Sequence, residues 1–133
     1  MAREVIPEIG KGMHEGEAAS ASTLQALGLA LDSLGEHVAA DSALRRSLAI
    51  REKYLPAGHW AIASSQAVLG YHLGLMNRNL EAERMLSKAY ERLAATRGSD
   101  AAVTKRVAVR LAELLEKLGR RADAKKWRAK GTP

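Results

Sequence analysis

The 133-residue chain contains no cysteine, which excludes a disulfide framework, a thiolate metal site and a cysteine nucleophile, and agrees with a reducing compartment. It contains no phenylalanine and only two tryptophans and three tyrosines. Its core must therefore close through near contact between small and aliphatic side chains, not around large rings. No apolar run approaches the roughly 20 residues that span a bilayer, and the N-terminus lacks the basic-then-apolar layout of a signal peptide. A cytoplasmic protein with no membrane association is expected.

What is present is a globular balance, 47% apolar and 27% charged residues, in a length that suits one domain or a short array. The net charge of +6 is concentrated at one end: residues 105–130 hold ten basic side chains against three acidic ones. A surface for nucleic acid or an acidic partner is expected only there, through Arg120, Arg121, Lys125, Lys126, Arg128 and Lys130.

The strongest pattern is an interval. Leu27-Gly28 returns as Leu69-Gly70 and as Leu111-Ala112, and the closing Gly35 returns as Asn77 and Gly119, each step 42 residues long. A fixed period of this size marks a stacked repeat. Within residues 20–34, Leu24, Leu27, Leu31 and Leu34 form one stripe of a 3.6-residue helix. Gly35, and Asn77 in the matching place, are suited to the left-handed C′ position that stops a helix. A second helix over 37–54 carries Ala40, Ala43, Leu44, Ser47 and Leu48 inward, and the short turn makes the two helices antiparallel. Pro56 and Gly58 break the chain before the next hairpin, helices over 59–76 and 80–97, with Ala82, Met85, Leu86, Ala89 and Tyr90 inward. A third hairpin spans 101–118 and 121–130, with Ser99 or Asp100 able to cap its first helix. The organisation expected is an N-terminal segment at 1–19, a helical repeat domain at 20–130 (repeats at about 20–58, 59–99 and 100–130) and a tail at 131–133.

On one register the repeats share Leu27/Leu69/Leu111, Gly28/Gly70/Ala112, Leu31/Leu73/Leu115, Ala40/Ala82/Ala124 and Leu44/Leu86. The small-residue pair, twelve apart, resembles the tetratricopeptide signature, in which a small residue on each helix lets two backbones cross closely. The 42-residue period and the run LRRSLAIREKYLPAGHW resemble the longer repeats of kinesin light chains and of bacterial multi-repeat proteins. The resemblance covers about 20–128. It implies an all-α fold, a right-handed superhelical stack of three antiparallel hairpins, and a protein-interaction scaffold. The asparagine ladder of kinesin-light-chain repeats is missing, since Gln25-Ala26, Ala67-Val68 and Val109-Arg110 stand in its place. Arg128 replaces the second-helix leucine and suits a polar capping repeat.

No catalytic constellation is found. The four histidines, His14, His37, His59 and His72, sit at unrelated places without metal-ligand spacing, and neither a nucleophile elbow nor a phosphate loop is present. The expectation is a non-enzyme without metal or cofactor. His72 is expected half-buried and His59 as a loop-packing residue. A protein or peptide partner is expected in the concave groove of the first helices, lined by Gln25, Leu29, Asp32, Ser33, Tyr71, Gly74, Leu75, Arg110 and Glu113, with Tyr71 as the leading contact. Nucleic acid on the basic last helix is the alternative. At the other end, Leu24, Leu27 and Leu31 expect a neighbour. Val5, Ile6 and Ile9 can supply it as a short outer helix, a larger parent protein can add a repeat, or two copies can pair as a homodimer, the outcome favoured here.

Overall fold

The computed structural model describes residues 15–132, and these are all-helical, with no strand among the described residues. The six helices among the described residues are α1 (Glu15–Ser33), α2 (His37–Tyr54), α3 (Trp60–Leu75), α4 (Asn79–Arg97), α5 (Ala102–Lys117) and α6 (Arg121–Gly131). The expected helix boundaries hold to within two residues except for α1, which begins five residues earlier and takes in part of the assigned N-terminal segment. The short outer helix of Val5, Ile6 and Ile9 lies outside the described residues, as does His14. No described helix is long and apolar enough to cross a membrane.

Helices pair as α1 with α2, α3 with α4 and α5 with α6; α2 with α3 and α4 with α5 join successive pairs, and α1, α3 and α5 also touch in order. The turns within the pairs are three copies of one structure. Gly35, Asn77 and Gly119 have φ of 81°, 64° and 80°, so the chain leaves each helix through the left-handed region where a Cβ is costly and glycine or asparagine is tolerated. The amide after each donates back to the helix, from Glu36 to the Leu31 carbonyl at 2.8 Å, from Arg78 to Leu73 at 2.9 Å and from Arg120 to Leu115 at 2.8 Å. This is the Schellman closure, which satisfies carbonyls that a helix end otherwise leaves unpaired.

Small residues set the distance inside each pair. Ala40, Ala82 and Ala124 are buried, as are Gly28, Gly70 and Ala112 across from them. A Cβ built on Gly28 would stand 2.5 Å from Leu44 Cγ, whereas one on Gly70 would meet Leu86 Cγ at 3.1 Å and Met85 Cβ at 3.2 Å. Leu44, Leu73, Leu86, Leu93, Leu111 and Leu115 are the large side chains that fill the core. The aromatics stay at its margin, with Trp60, Tyr90 and Trp127 packed against it. Tyr90 and Trp127 meet edge to face, ring centres 4.9 Å apart.

Two local expectations are corrected. Neither Ser99 nor Asp100 caps α5: its N-cap residue is Ala101, with no side-chain cap. His59 does cap α3, its Nδ1 accepting from the Ala61 amide at 3.0 Å while the ring stacks on Trp60. The leucine stripe of α1, which was expected to want a neighbour, is only partly covered. Leu24 and Leu31 are half-buried, Leu34 is exposed, and Leu27 is 47% exposed although its equivalents Leu69 and Leu111 are 2% and 0% exposed. Helices α3 and α5 each pack on the helix before their own pair, and no described helix precedes α1.

Candidate functional site

The expected groove residues fall mainly into two adjoining hollows along α1, α3 and α5. The first, about 360 Å³, is lined by Leu29, Asp32, Ser33, His37, Tyr71, Leu75 and Arg110. The second, about 200 Å³, runs on past Tyr71, Leu75 and Arg110 to Gly74, Glu113 and Lys117. Tyr71, Leu75 and Arg110 therefore form the wall common to both. The Arg110 guanidinium lies over the Tyr71 ring, 3.6 Å from its centre, and the cation–π attraction holds a long, flexible side chain in one place. Lys117 donates to the Gly74 carbonyl at 2.6 Å, a C-terminal carbonyl of α3 where a cation also complements the helix dipole.

Gln25 stands apart from this wall. Its Oε1 accepts from Arg51 at 2.8 Å and from the Ser65 hydroxyl at 3.1 Å. Arg51 donates further to the Ala61 carbonyl at 3.2 Å and to Ser65 at 2.9 Å. One guanidinium from α2 thus ties α1 to the start of α3. Its acceptors are neutral, and burial holds its pKa below the ordinary arginine value, since removing a cation from water disfavours its charged form. Gln25 is a strut between helices in this arrangement.

His37 and His72 converge on Asp32, which corrects the reading of unrelated positions for these two. His72 is completely buried, where half-burial was expected. Its Nδ1 lies 2.8 Å from Asp32 Oδ2 and its Nε2 lies 3.1 Å from Asp41 Oδ1. His37 Nδ1 is 2.9 Å from Asp32 Oδ1. Arg45 donates to the other Asp41 oxygen at 2.9 Å. Burial pushes the Asp41 carboxyl up, but the hydrogen bond and charge of Arg45, with His72, outweigh it and leave the pKa below the usual value. Asp32, His37 and His72 come from α1, the first position of α2 and the last turn of α3, and two of them are buried polar groups that have found partners. A signal for this cluster exists in the repeat register. His72 occupies the place of Leu114, a 6% exposed core residue, and a polar side chain at an inward position needs partners of its own.

At the basic end two of the six expected cations are committed to carboxylates. Arg120 donates to Glu83 at 2.8 Å and to Asp123 at 3.1 Å, and Arg128 donates to Glu116 at 2.8 and 3.1 Å. These partners raise both guanidinium pKa values. Arg121, Lys125, Lys126 and Lys130 lie on the exposed side of α6. Trp127, the one aromatic residue there, packs inward. No family model and no curated protein matches the chain.

Proposed function

We propose that this chain is a tetratricopeptide-like scaffold, a right-handed superhelical stack of three antiparallel hairpins, which binds a segment of a protein partner in the groove along α1, α3 and α5. The observation that carries the reading is the shared wall of Tyr71, Leu75 and Arg110 between two adjoining hollows. An amphipathic ring held by a stacked cation offers contact area that is already ordered, so little entropy is lost on binding. Affinity capture with the chain and with its Tyr71→Ala/Leu75→Ala variant tests the proposal. Partners held by the former and lost by the latter, with unchanged helical circular dichroism, support it; equal retention overturns it.

The exposure of Leu27 favours the homodimer through the α1 end, because a leucine whose counterparts are buried offers a second copy an apolar face. Light scattering across a concentration series tests this, and a strictly monomeric mass overturns it. The nucleic-acid alternative has less support, with Arg120 and Arg128 ion-paired and Trp127 packed against the core. Steeply salt-dependent binding to random duplex would favour it.

A further inference from the structure

We propose that Asp32, His37 and His72 form a binding site for a divalent transition metal ion of the zinc type, which links the first helix pair to α3 at the mouth of the larger hollow. One donor atom from each of the three residues lies within 4.8 Å of the others. The carboxylate is the centre of the set, with the Nδ1 atoms of both rings 2.8 to 2.9 Å from its oxygens. Each of these short contacts needs a proton between nitrogen and oxygen, and a cation seated among the three takes the place of those protons. Zinc bonds of about 2.0–2.2 Å set neighbouring donors roughly 3.3 Å apart in a tetrahedron. The nitrogen–oxygen contacts of 2.9 and 2.8 Å are close to that spacing.

The surroundings fit a metal ligand set in three respects. Asp41 accepts from His72 Nε2 at 3.1 Å and is itself gripped by Arg45. A carboxylate on the far nitrogen fixes the ring and leaves Nδ1 as the ligating atom, the outer-shell arrangement common to metal-bound histidines. His72 is fully buried and His37 is 37% exposed on its side chain, so the set has a rigid floor and an accessible entrance. Asp32 and His37 also line the 360 Å³ hollow, with Arg110 on the same lining. Three protein ligands leave a fourth position open there, for water or for an anionic group. Two imidazoles and one carboxylate select a borderline ion such as Zn²⁺ over Mg²⁺ or Ca²⁺, which take oxygen ligands. The site stands independently of the groove reading.

The test is titration calorimetry of the full chain with zinc chloride after removal of metal by a chelator. The expected result is one Zn²⁺ per chain, not displaced by a large excess of Mg²⁺. His37→Gln should abolish this binding, and Asp41→Ala should weaken it about 10- to 100-fold as the loss of an outer-shell partner. His59→Gln should leave it unchanged. Imidazole NMR on the unaltered chain gives a readout that does not depend on any variant folding: the His37 and His72 signals should move with zinc and the His59 signal should not. Absence of binding, binding that survives His37→Gln, or zinc shifts confined to other histidines overturns the proposal.

Discussion

Asp32 and His72 stand 40 positions apart and meet at 2.8 Å with side chains 2% and 0% exposed. The pair joins α1 to α3 directly, across the space between successive helix pairs. Removing one partner strands the other without water, so Asp32→Ala is expected to cost about 3–5 kcal/mol in denaturant unfolding. A loss below about 1 kcal/mol would show that His72 is satisfied by Asp41 alone.

The two glycine crossings should respond differently to alanine. At Gly28 the new methyl meets the buried Leu44 side chain head on, and Gly28→Ala is expected to destabilise by about 1–3 kcal/mol. At Gly70 the approach is wider, and the third pair already carries Ala112 in the same place, fully buried. Helix propensity returns about 1 kcal/mol for Gly→Ala, so Gly70→Ala should come out near neutral. Equal losses at both positions would contradict the geometry.

Leu69 and Leu27 share a repeat position but not an environment. Leu69→Ala empties a filled core and should cost about 2–5 kcal/mol. For Leu27→Ala, with 47% of the residue in solvent, the expected cost is under about 1 kcal/mol. Thermal unfolding of both variants at dilute protein concentration compares them. A large loss at Leu27 would mean that another surface covers it in solution.

Arg51→Met keeps the aliphatic stem and removes the donors, leaving Gln25, Ser65 and the Ala61 carbonyl short of a partner. The expected cost is about 1–3 kcal/mol. Arg51→Lys should recover only part of it, because an ammonium cannot reproduce the planar fork that reaches several acceptors at once. Full recovery by lysine would reduce the network to a single charge effect.

The helix turns were legible in the sequence because each is a local event: a residue that tolerates positive φ, at the end of a leucine-rich helix, specifies its own geometry. The close crossings were legible for a related reason, since Gly28, Gly70 and Ala40 are small wherever the register brings two backbones together. That the Leu27 face would want a neighbour was legible from the register, but not how far it is covered. Helical spacing says which residues share a face, and only the arrangement of whole helices says whether anything covers it. The α5 cap failed because that helix starts at Ala102, one residue beyond where Asp100 could serve as the cap. The meeting of Asp32, His37 and His72 depends on three helices at once, so no window of the sequence contains it. Most of the expected groove residues came together because Leu29, Tyr71, Leu75 and Arg110 follow from the repeat register itself.

The identical turns give the segment 36–77 an unusual property. It opens on Glu36 at φ −89° and ψ 66°, and the residue after it, Arg78, has φ −90° and ψ 66°. A chain cut at these two points presents the same backbone state at both ends, so the segment is a cassette. Splicing in a second copy continues the chain from Asn77 into a new Glu36 without inventing a turn. Excising the segment lets Gly35 lead into Arg78 as it now leads into Glu36. The length of such a molecule is a matter of copy number, and the chain can grow or shrink by one unit while every junction keeps its geometry.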